Sequence, residues 1–512
     1  MHKLYQFGLQ IYYYYQILIE ELFDIMRNTK YVISNIIIIF LMFLLISSFQ
    51  ILSSYSLTNR INIKAEDNQN SWSKFIKSGS QLQSHSSMFF FDDDIFLLGS
   101  IGNYFTKDDI YIARFNNSGA KLWERKWNDS KYDAFQDYAK DSENNIYITC
   151  ISSNTDFSGV SGKISILKYN TTGNLLWSKT IDPYNCNYYN LYSIKIDLNN
   201  SVYLTCQMAG YSIDRSFITK ISSSGIILWT QEIGLIDRPF QLRTEIDSKG
   251  NIYVSGQGSN LFLLKYNSSF SQLWYKQWGS HIGHEMGLDS DGNIFLTGET
   301  YIDIEKYDVW IMKINSSGNL TTKVSCIIFN YYRVEVKTWF LDDIFIMVGK
   351  GNVEFMSSLL RYNYSLNSRW NFTFEDFKLT RKPHEYKFGI NSKKEMYLLL
   401  TKNPKIKIIH FNDTNLISYF EWGGYYSTNL YAFCIDSNDN LYMLCQQHYS
   451  NVWFESTSLS LLVKNPMIGG RAPLLNQPID DRDIFLFSFF GVMSLISISL
   501  IYNILKPKLR KL

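Results

Sequence analysis

The segment HIGHE at residues 281–285 is the one close group of metal-type ligands in the sequence, with His281, His284 and Glu285. A helical H-E-x-x-H motif binds zinc because one helix face presents both imidazoles. On a strand, successive side chains alternate between two faces, so the two histidines of H-x-x-H are separated. We therefore predict no metal site here and interpret the segment as polar residues at the mouth of a channel.

Glu285 has counterparts at the same point of other sequence repeats, which are described below. The equivalent residues, one from each of five repeats, are Asp137, Ser193, Arg243, Glu285 and Lys387. Such a set mixes charges of both signs and could bind a small polar ligand where the repeats meet. It could also consist of solvated strand ends that neutralise one another. Together with His281 and His284, these five are the candidate ligand-binding residues.

The other motifs that could carry chemistry are weaker. The segment DSDGN at 289–293 looks like the start of a calcium loop, but the bidentate Glu that closes such a loop is missing. We interpret this segment and its relatives as hairpin turns. The sequence contains no G-x-S-x-G motif, no glycine-rich phosphate loop and no plausible pair of nucleophile and base. We predict neither a catalytic residue nor a cofactor.

The elements that position the candidate residues come from an internal repeat. A basic residue precedes an aromatic residue and an Asn- or Ser-rich turn at Arg114, Lys168, Lys220, Lys265, Lys313, Arg361, His410 and Lys464. From Arg114 to Lys464 the chain runs 350 residues over seven intervals, which gives a mean period of 50 and eight units. We expect the eight basic side chains to form an exposed ladder whose stems cover apolar surface.

Each unit is predicted to contain four short strands. A hairpin such as EIDSKGNIYVSG joins an inner strand to a second strand, since Asp, Ser, Asn and Gly favour the turn and the flanking residues alternate. A second turn joins the third strand to an outer strand with Leu-Trp or an equivalent. The outer-strand tryptophans, which we expect to pack against the next unit, are Trp123, Trp177, Trp229, Trp274 and Trp370. Phe420 or Trp422 is expected to replace them in the seventh unit, and the fifth unit has no such residue.

Four-stranded units that repeat at about 40–50 residues predict a β-propeller, in which each blade is covered by its neighbours. The eighth unit, at about 425–465, lacks an outer strand, whereas residues 71–79 resemble one and carry Trp72 in the position of the other tryptophans. Pairing the two segments removes two open sheet edges and closes the ring. We therefore predict an all-β, eight-bladed β-propeller over residues 71–465, with seven blades as the alternative.

The hairpin DSDGNIFLTG and the following VWIMKINSSGN resemble the repeats of exported SBBP proteins, whose family name denotes seven-bladed β-propeller repeats. They are more distantly similar to the PQQ-like quinoprotein propellers. The resemblance covers about residues 71–465 and implies the propeller fold. Nothing in the chain matches the cofactor-binding residues of quinoprotein dehydrogenases, and many such repeat proteins have no known activity. The resemblance therefore implies much more about fold than about function.

Two apolar segments without a charged residue, 31–52 and 484–505, are each 22 residues long, which is enough to cross a bilayer. Basic residues dominate the tail at 506–512 and DDRD precedes the second segment, so the positive-inside rule predicts a cytoplasmic C-terminus and an external propeller. Residues 31–56 are predicted to be a signal peptide or an uncleaved anchor. They follow an extension at 1–30 that is cytoplasmic or lies outside the working protein. Residues 466–483, with several Pro and Gly, are a predicted stalk.

The composition fits an exported repeat protein. The 49 basic and 47 acidic residues nearly balance, which argues against nucleic-acid binding. Ten N-x-S/T sequons are candidate glycosylation sites, at Asn116, Asn128, Asn170, Asn199, Asn267, Asn315, Asn319, Asn363, Asn371 and Asn412. Many of them lie in the repeated turn, where Asn and Ser are also favoured by the backbone, so they support export only weakly.

The six cysteines form no C-x-x-C pair. Because Cys150, Cys206 and Cys445 end three equivalent strands of different repeats, we interpret them as buried apolar side chains and not as disulfide partners or zinc ligands.

The sequence as a whole predicts a membrane-anchored cell-surface propeller that acts as a non-enzymatic recognition, adhesion or scaffolding module. Its ligand would be an extracellular protein or a glycan. One alternative is a membrane-tethered, quinoprotein-like oxidoreductase or a hydrolase with its site in the propeller funnel. Another is a purely structural component of the cell envelope.

Overall fold

The structure is a computed structural model that describes the repeat region of the chain, residues 72–465. Within this range the description omits 78–80, 83–85, 103–108, 130–131, 154–161, 183–188, 209–214, 235–239, 280, 304–305, 331–333, 351–355, 376–385, 403–404, 413–415, 423–426 and 451–455. The predicted signal or anchor segment, stalk, second apolar segment and basic tail all lie outside the described residues. In the part that is described, there is no helix with the length and apolarity needed to span a membrane.

Eight antiparallel sheets, here called blades one to eight in chain order, are formed by 33 strands. Blade one contains β2 (Gln81–Leu82), β3 (Ser87–Phe91), β4 (Asp94–Gly102), β5 (Asp109–Asn116) and β6 (Lys121–Trp127). Blade two contains β7 (Tyr132–Lys140), β8 (Ile146–Ser153), β9 (Lys163–Tyr169) and β10 (Leu175–Ile181). Blade three contains β11 (Tyr189–Ile196), β12 (Val202–Met208), β13 (Arg215–Ile221) and β14 (Ile227–Glu232). Blade four contains β15 (Phe240–Ile246), β16 (Ile252–Gln257), β17 (Asn260–Tyr266) and β18 (Gln272–Gly279).

The second half of the ring repeats this arrangement. Blade five contains β19 (His281–Leu288), β20 (Ile294–Asp303), β21 (Lys306–Ile314) and β22 (Leu320–Asn330). Blade six contains β23 (Val334–Phe340), β24 (Ile344–Lys350), β25 (Met356–Tyr362) and β26 (Ser368–Glu375). Blade seven contains β27 (Tyr386–Ile390), β28 (Met396–Lys402), β29 (Lys405–Phe411) and β30 (Leu416–Trp422). Blade eight contains β31 (Ser427–Ile435), β32 (Leu441–Ser450), β33 (Ser456–Lys464) and β1 (Trp72–Lys77), so the prediction of eight four-stranded blades is confirmed.

The strand from the N-terminal side completes the last blade, as the sequence predicted. β1 pairs with β33 in an antiparallel ladder that places Trp72 opposite Lys464. Trp229 lies opposite Lys220 in the same way in blade three. The first and last described strands therefore lie in one sheet, and the edges at which they meet are hydrogen-bonded to each other.

The hairpin turns form because one side chain accepts two backbone hydrogen bonds. Asp197 Oδ1 accepts the N–H groups of Asn199 and Ser201, and Asn200 has a φ of 59°. The segment that resembled a calcium loop follows the same rule, since Asp289 Oδ1 accepts the N–H groups of Asp291 and Asn293. These turns give their oxygens to the backbone, which confirms the interpretation as hairpins.

The hydrophobic core is divided into eight clusters, and each cluster joins one pair of adjacent blades. The cluster between blades eight and one contains Leu444 and Leu462 from blade eight with Ile95 and Tyr111 from blade one. The ring is therefore closed by side-chain packing as well as by backbone pairing. Cys150, Cys206 and Cys445 are fully buried in these clusters, as expected, while Cys186 lies outside the described residues.

The tryptophans of the outer strands pack against the next blade, which confirms their predicted role. Trp123 of blade one packs against the turn that contains Gly173 in blade two. Gly173 has a φ of 82°, and a Cβ atom on it would lie 2.9 Å from the Trp123 ring. Gly225 and Gly318 meet Trp177 and Trp274 in the same way. At Gly173, Gly225 and Gly318 the left-handed backbone and the close tryptophan favour glycine, whereas in blade four Phe270 occupies the equivalent position and packs its ring on Trp229.

Blades five and seven solve the same packing problem without a tryptophan at that register. In blade five Thr322 lies opposite Lys313, and blade six contributes Leu366 and Tyr364, whose ring contacts Phe295 edge to face at 5.0 Å. In blade seven Ser418 lies opposite His410, so Phe420 and Trp422 are not in the equivalent position. They nevertheless pack into the cluster shared with blade eight, where Trp422 is fully buried.

The basic residues of the repeat do not form an exposed ladder, and this expectation was wrong. Lys168 is 5% exposed, its Nζ lies 3.1 Å from Asp141 Oδ2, and it donates to the carbonyl of Ser223 in the next blade at 3.1 Å. Its ammonium also lies 4.9 Å from the centre of the Tyr147 ring. The same donation across a blade boundary is made by Arg114 to Thr171, Lys265 to Ser316, Lys313 to Tyr364 and Lys464 to Asn117. These five bases are therefore inter-blade clamps that satisfy a turn carbonyl of the next blade, and Lys168 also pairs with the buried carboxylate of Asp141.

The strand order gives the ring two different faces. First and third strands end in short turns on one face, here called the turn face. These turns are mostly five residues long, as between Ile196 and Val202 or between Tyr169 and Leu175. The opposite face, called the loop face, carries the connections from second to third strands and from one blade to the next. Those connections range from one residue, between Gly279 and His281, to ten, between Glu375 and Tyr386.

Candidate functional site: the channel ring

The candidate residues lie on the inner strands, which run from the loop face to the turn face around the axis. Most inner strands contain a bulge at the same point, for example before Asp137, Ser193 and Glu285. A bulge re-aims the side chain that follows it and increases the local twist. The repeated bulge therefore places one residue per blade at the same height.

The structure brings all five aligned candidates to one register and adds a charged residue that the sequence alignment missed. The residues that lie opposite Thr149 of blade two and opposite its equivalents in the other blades, Leu98 in blade one among them, are Ser87, Asp137, Ser193, Arg243, Glu285, Lys337, Lys387 and Ala432. We call this set the channel ring. Lys337 was not among the predicted residues, although it lies about one repeat from both Glu285 and Lys387 in the sequence.

Glu285 is held between cations from the two blades beside it. Arg243 Nε lies 2.9 Å from Glu285 Oε2, and Lys337 Nζ lies 2.6 Å from Glu285 Oε1. Burial by itself would raise the pKa of this carboxyl, but the charges and hydrogen bonds of Lys337 and Arg243 outweigh it and hold the pKa below its usual value. Glu285 is therefore an ionised bridge across three blades and is unsuited to accept a proton from a substrate near neutral pH.

A second ion pair lies two residues farther along the inner strands. Lys195 of blade three donates to Glu245 of blade four at 2.6 Å. Burial raises the pKa of Glu245, Lys195 lowers it, and the nearby charge of Glu285 raises it, so the net direction is upward. Burial also raises the pKa of Asp137, against the opposing effects of backbone N–H groups and of Lys195. The channel carboxylates are thus linked to one another through Lys195 and Arg243.

Lys387 of blade seven differs from these paired groups. Burial and, to a smaller extent, the adjacent charge of Lys337 together lower the pKa of its ammonium to about 8. No carboxylate among the described residues forms an ion pair with it. Lys387 is therefore a largely desolvated cation whose nearest charged neighbour has the same sign.

The two histidines do not join the channel ring. His281 lies 2.9 Å, through Nε2, from Lys323 Nζ on the outer strand of its own blade. His284 Nε2 lies 3.6 Å from Glu299 Oε2, while Glu285 points to the neighbouring blades. No three His, Cys, Asp or Glu side chains gather to hold a metal ion in the described ranges. The side chains of HIGHE diverge, as alternation along a strand requires.

A cavity of about 490 Å³ opens on the turn face beside the channel ring, between blades six, seven and eight. The apolar side chains in its wall include Trp339, Phe388, Ile390, Phe433 and Ile435. Polar groups share the lining, since Asp342 and Lys394, which form an ion pair, and Asn391 also face the cavity. The cavity therefore offers both aromatic surface and polar groups to a ligand.

The described channel residues carry more positive than negative charge. Four cations (Lys195, Arg243, Lys337 and Lys387) face three carboxylates (Asp137, Glu245 and Glu285), and the unbalanced charge is positive. Such a site can bind an anionic group by charge-assisted hydrogen bonds. Two of the three carboxylates, Glu245 and Glu285, are bound to cations.

Comparisons with known proteins concern the fold. No protein-family model matches the chain, and no curated protein matches it. The solved structure of the Dos1 propeller is similar at 8% identity over 78% of this chain and 95% of that one, with a TM-score of 0.47. The WD40 domain of SCAP from fission yeast is similar at 8% identity over 78% of this chain and 99% of that one, with a TM-score of 0.44. Virginiamycin B lyase from Staphylococcus aureus is similar at 14% identity over 64% and 94%, with a TM-score of 0.38. The specific resemblance to SBBP or PQQ-like repeats has no matching family model.

Proposed function

We propose that this protein is a membrane-anchored, extracytoplasmic β-propeller that acts as a non-enzymatic recognition module. The support for anchoring is in the sequence, where charge-free apolar segments at 31–52 and 484–505 flank the repeat region. The support for recognition is the contrast between the two faces of the ring. A rigid scaffold with variable loops on one side is a common arrangement in binding proteins.

The observation that carries the proposal is that the repeated turn-face residues already have structural roles within the ring. The turn-face hairpins hold their own backbone, receive the tryptophans and accept the basic clamps of the preceding blade, as Gly173 and Ser223 do. Their sequence is therefore fixed by packing. The loop-face connections differ in length from blade to blade. The loop face is the side on which one blade can differ from another without loss of the ring.

Both ends of the described chain leave the ring on the turn face. β1 begins opposite Lys464, and β33 ends at Lys464, where the third strand of every other blade enters its turn. An anchor reached through residues 466–483 would therefore place the turn face toward the membrane and the loop face outward. This geometry favours recognition of an external protein or glycan through the loop face.

The experiment compares loop-face and turn-face changes in the full-length chain embedded in lipid nanodiscs. The chain is screened on arrays of glycans and extracellular proteins, and any ligand found is titrated against two variants. One variant shortens the long loop-face connection at 154–161, and the matched control replaces Thr172 by Ser in the adjacent turn of the same blade. We expect the first to abolish or weaken binding and the second to leave it unchanged. Equal affinity of both variants for every ligand found would contradict recognition through the loop face.

The funnel enzyme that the sequence offered as an alternative stays a prediction. It is tested by incubating the same full-length chain with PQQ and calcium and recording the quinone spectrum and substrate-dependent dye reduction. Bound quinone together with dye reduction would replace the recognition module by an oxidoreductase.

A further inference from the structure

Lys387 raises a question that the recognition function does not answer. In the channel ring, Arg243 and Lys337 share Glu285, and Lys195 is paired with Glu245. Lys387 is at the same register as Arg243 and Lys337 but has no carboxylate partner among the described residues. Burying an ammonium without a counter-charge is unfavourable, and an anion bound beside it offsets that penalty.

The apolar cavity lies next to this cation. Gly389 lines the cavity and follows Lys387 by two residues on the same strand, and Trp339 follows Lys337 by two residues in the neighbouring blade. Residues two apart on a strand share a face and are separated by roughly 7 Å. The four-carbon stem of a lysine can span that distance, so the ammonium and the cavity can contact one ligand.

Aromatic rings from three blades give the cavity a surface on which an apolar group can pack. The ring of Trp339 lies 5.1 Å from that of Phe388, and the ring of Phe433 lies against Gly389, where a Cβ atom would be 2.6 Å from it. A glycine here leaves the Phe433 ring in place at the wall. A flat apolar group that packs against these rings removes apolar surface from water, which favours binding.

We propose that Lys387 and the cavity between blades six, seven and eight form a binding site for a small organic monoanion with an apolar body. The anionic group contacts Lys387, with Lys337 as the second cation, and the apolar body lies against Trp339, Phe388 and Phe433. The depressed pKa of Lys387 agrees with a cation that lacks its anion in the ligand-free ring. This site is on the turn face and is independent of recognition through the loop face.

The test uses 2-naphthoate as the probe and the full-length chain in lipid nanodiscs, with protein-free nanodiscs to subtract partition into lipid. Binding is measured by equilibrium dialysis. The neutral 2-naphthamide has nearly the same shape and reports the contribution of the charge. We expect 2-naphthoate to bind at least about tenfold more tightly than the amide, because a charge-assisted hydrogen bond to a buried ammonium is lost. Equal binding of acid and amide, or no binding of either, would overturn the proposal.

Matched variants locate the site. Lys387→Met removes the charge and retains the stem, and we expect it to weaken binding of 2-naphthoate by about tenfold or more while leaving 2-naphthamide unchanged. Lys405→Met is the control, because Lys405 is an exposed lysine of the same blade that pairs with Glu421. Trp339→Leu should weaken both probes by a similar factor. A melting curve for each variant establishes that the ring is folded. Unchanged affinity of a folded Lys387→Met variant, or binding of acetate as tight as that of 2-naphthoate, would show that the cavity and the cation do not act together.

Discussion

Replacement of one inter-blade clamp tests how the ring is held together. Lys168 is the best position because both members of its ion pair are buried, with side-chain exposures of 7% for Lys168 and 0% for Asp141. Lys168→Met keeps an unbranched apolar stem against Tyr147 and removes only the ammonium. The change leaves the carboxylate of Asp141 without its cation and removes one of two donors to the Ser223 carbonyl, which keeps the N–H of Trp177.

The expected loss of stability is large for a single substitution. Removing one partner of a buried ion pair typically destabilises a protein by about 3–5 kcal/mol, since the other charge stays buried. The matched control is Lys405→Met, which breaks the exposed pair with Glu421, where side-chain exposures are 46% and 33%. Exposed pairs contribute about 0–1 kcal/mol. The two variants remove the same chemical group, so the difference between them measures burial.

Urea unfolding of the full-length chain, followed by tryptophan fluorescence, measures both free energies of unfolding. A second variant, Lys168→Met with Asp141→Asn, keeps an oxygen that can accept the turn N–H groups of Glu143 and Asn145 and removes the stranded charge. It should recover part of the loss. Equal destabilisation by Lys168→Met and Lys405→Met would refute the clamp as a stabilising contact.

The same pair predicts a dependence on pH. Burial alone would raise the pKa of Asp141, but hydrogen bonds from Asn145 and Lys168 and the charge of Lys168 hold it below its ordinary value of 3.8. A carboxyl with a lowered pKa stabilises the fold above its ordinary pKa, and this contribution is lost as the pH falls. The difference in unfolding free energy between the natural chain and Lys168→Met should therefore be constant near neutral pH and shrink below about pH 4. A difference that persists at low pH would show that lost packing, and not the ion pair, causes the effect.

Three further predictions address the ring and its placement. A chain that begins at residue 80 should melt at a lower temperature and aggregate more than one that begins at residue 66, because β33 loses its partner strand; equal melting temperatures would refute closure by β1. Gly173→Ala should destabilise more than Gly292→Ala in thermal unfolding, because both residues have left-handed φ values but only the first meets a tryptophan ring, at 2.9 Å against 3.8 Å to Ser316 for the second. Protease added to intact cells should degrade residues 60–480 and spare a small C-terminal fragment detected by mass spectrometry, and protection of the whole propeller would overturn the external placement.

Local chemistry explains why much of the fold could be predicted. A turn such as DSKGN forms from its own side chain and backbone, so its recurrence reveals the strands on either side. The Leu-Trp pattern was also predictable, because the large apolar ring of a tryptophan on an outer strand must be buried against the next blade. The blade count and the closing strand followed from these two regularities. The role of the basic residues did not follow, because the sequence shows a charge but not the carbonyl of the next blade that receives it.

In the candidate site, too, some features could be predicted from the sequence and others depend on tertiary contacts. Periodicity alone placed Asp137, Ser193, Arg243, Glu285 and Lys387 at one height, since each lies at the same distance from its hairpin. Which of them are paired depends on the neighbours that the closed ring supplies across blade boundaries, about one repeat away in the chain. Only the tertiary structure decided that Glu285 is held by two cations while Lys387 has none among the described residues, and that aromatic rings from three blades leave a cavity beside it. Local hydrogen bonding is written into consecutive residues, whereas charge balance and empty volume arise only when distant segments meet.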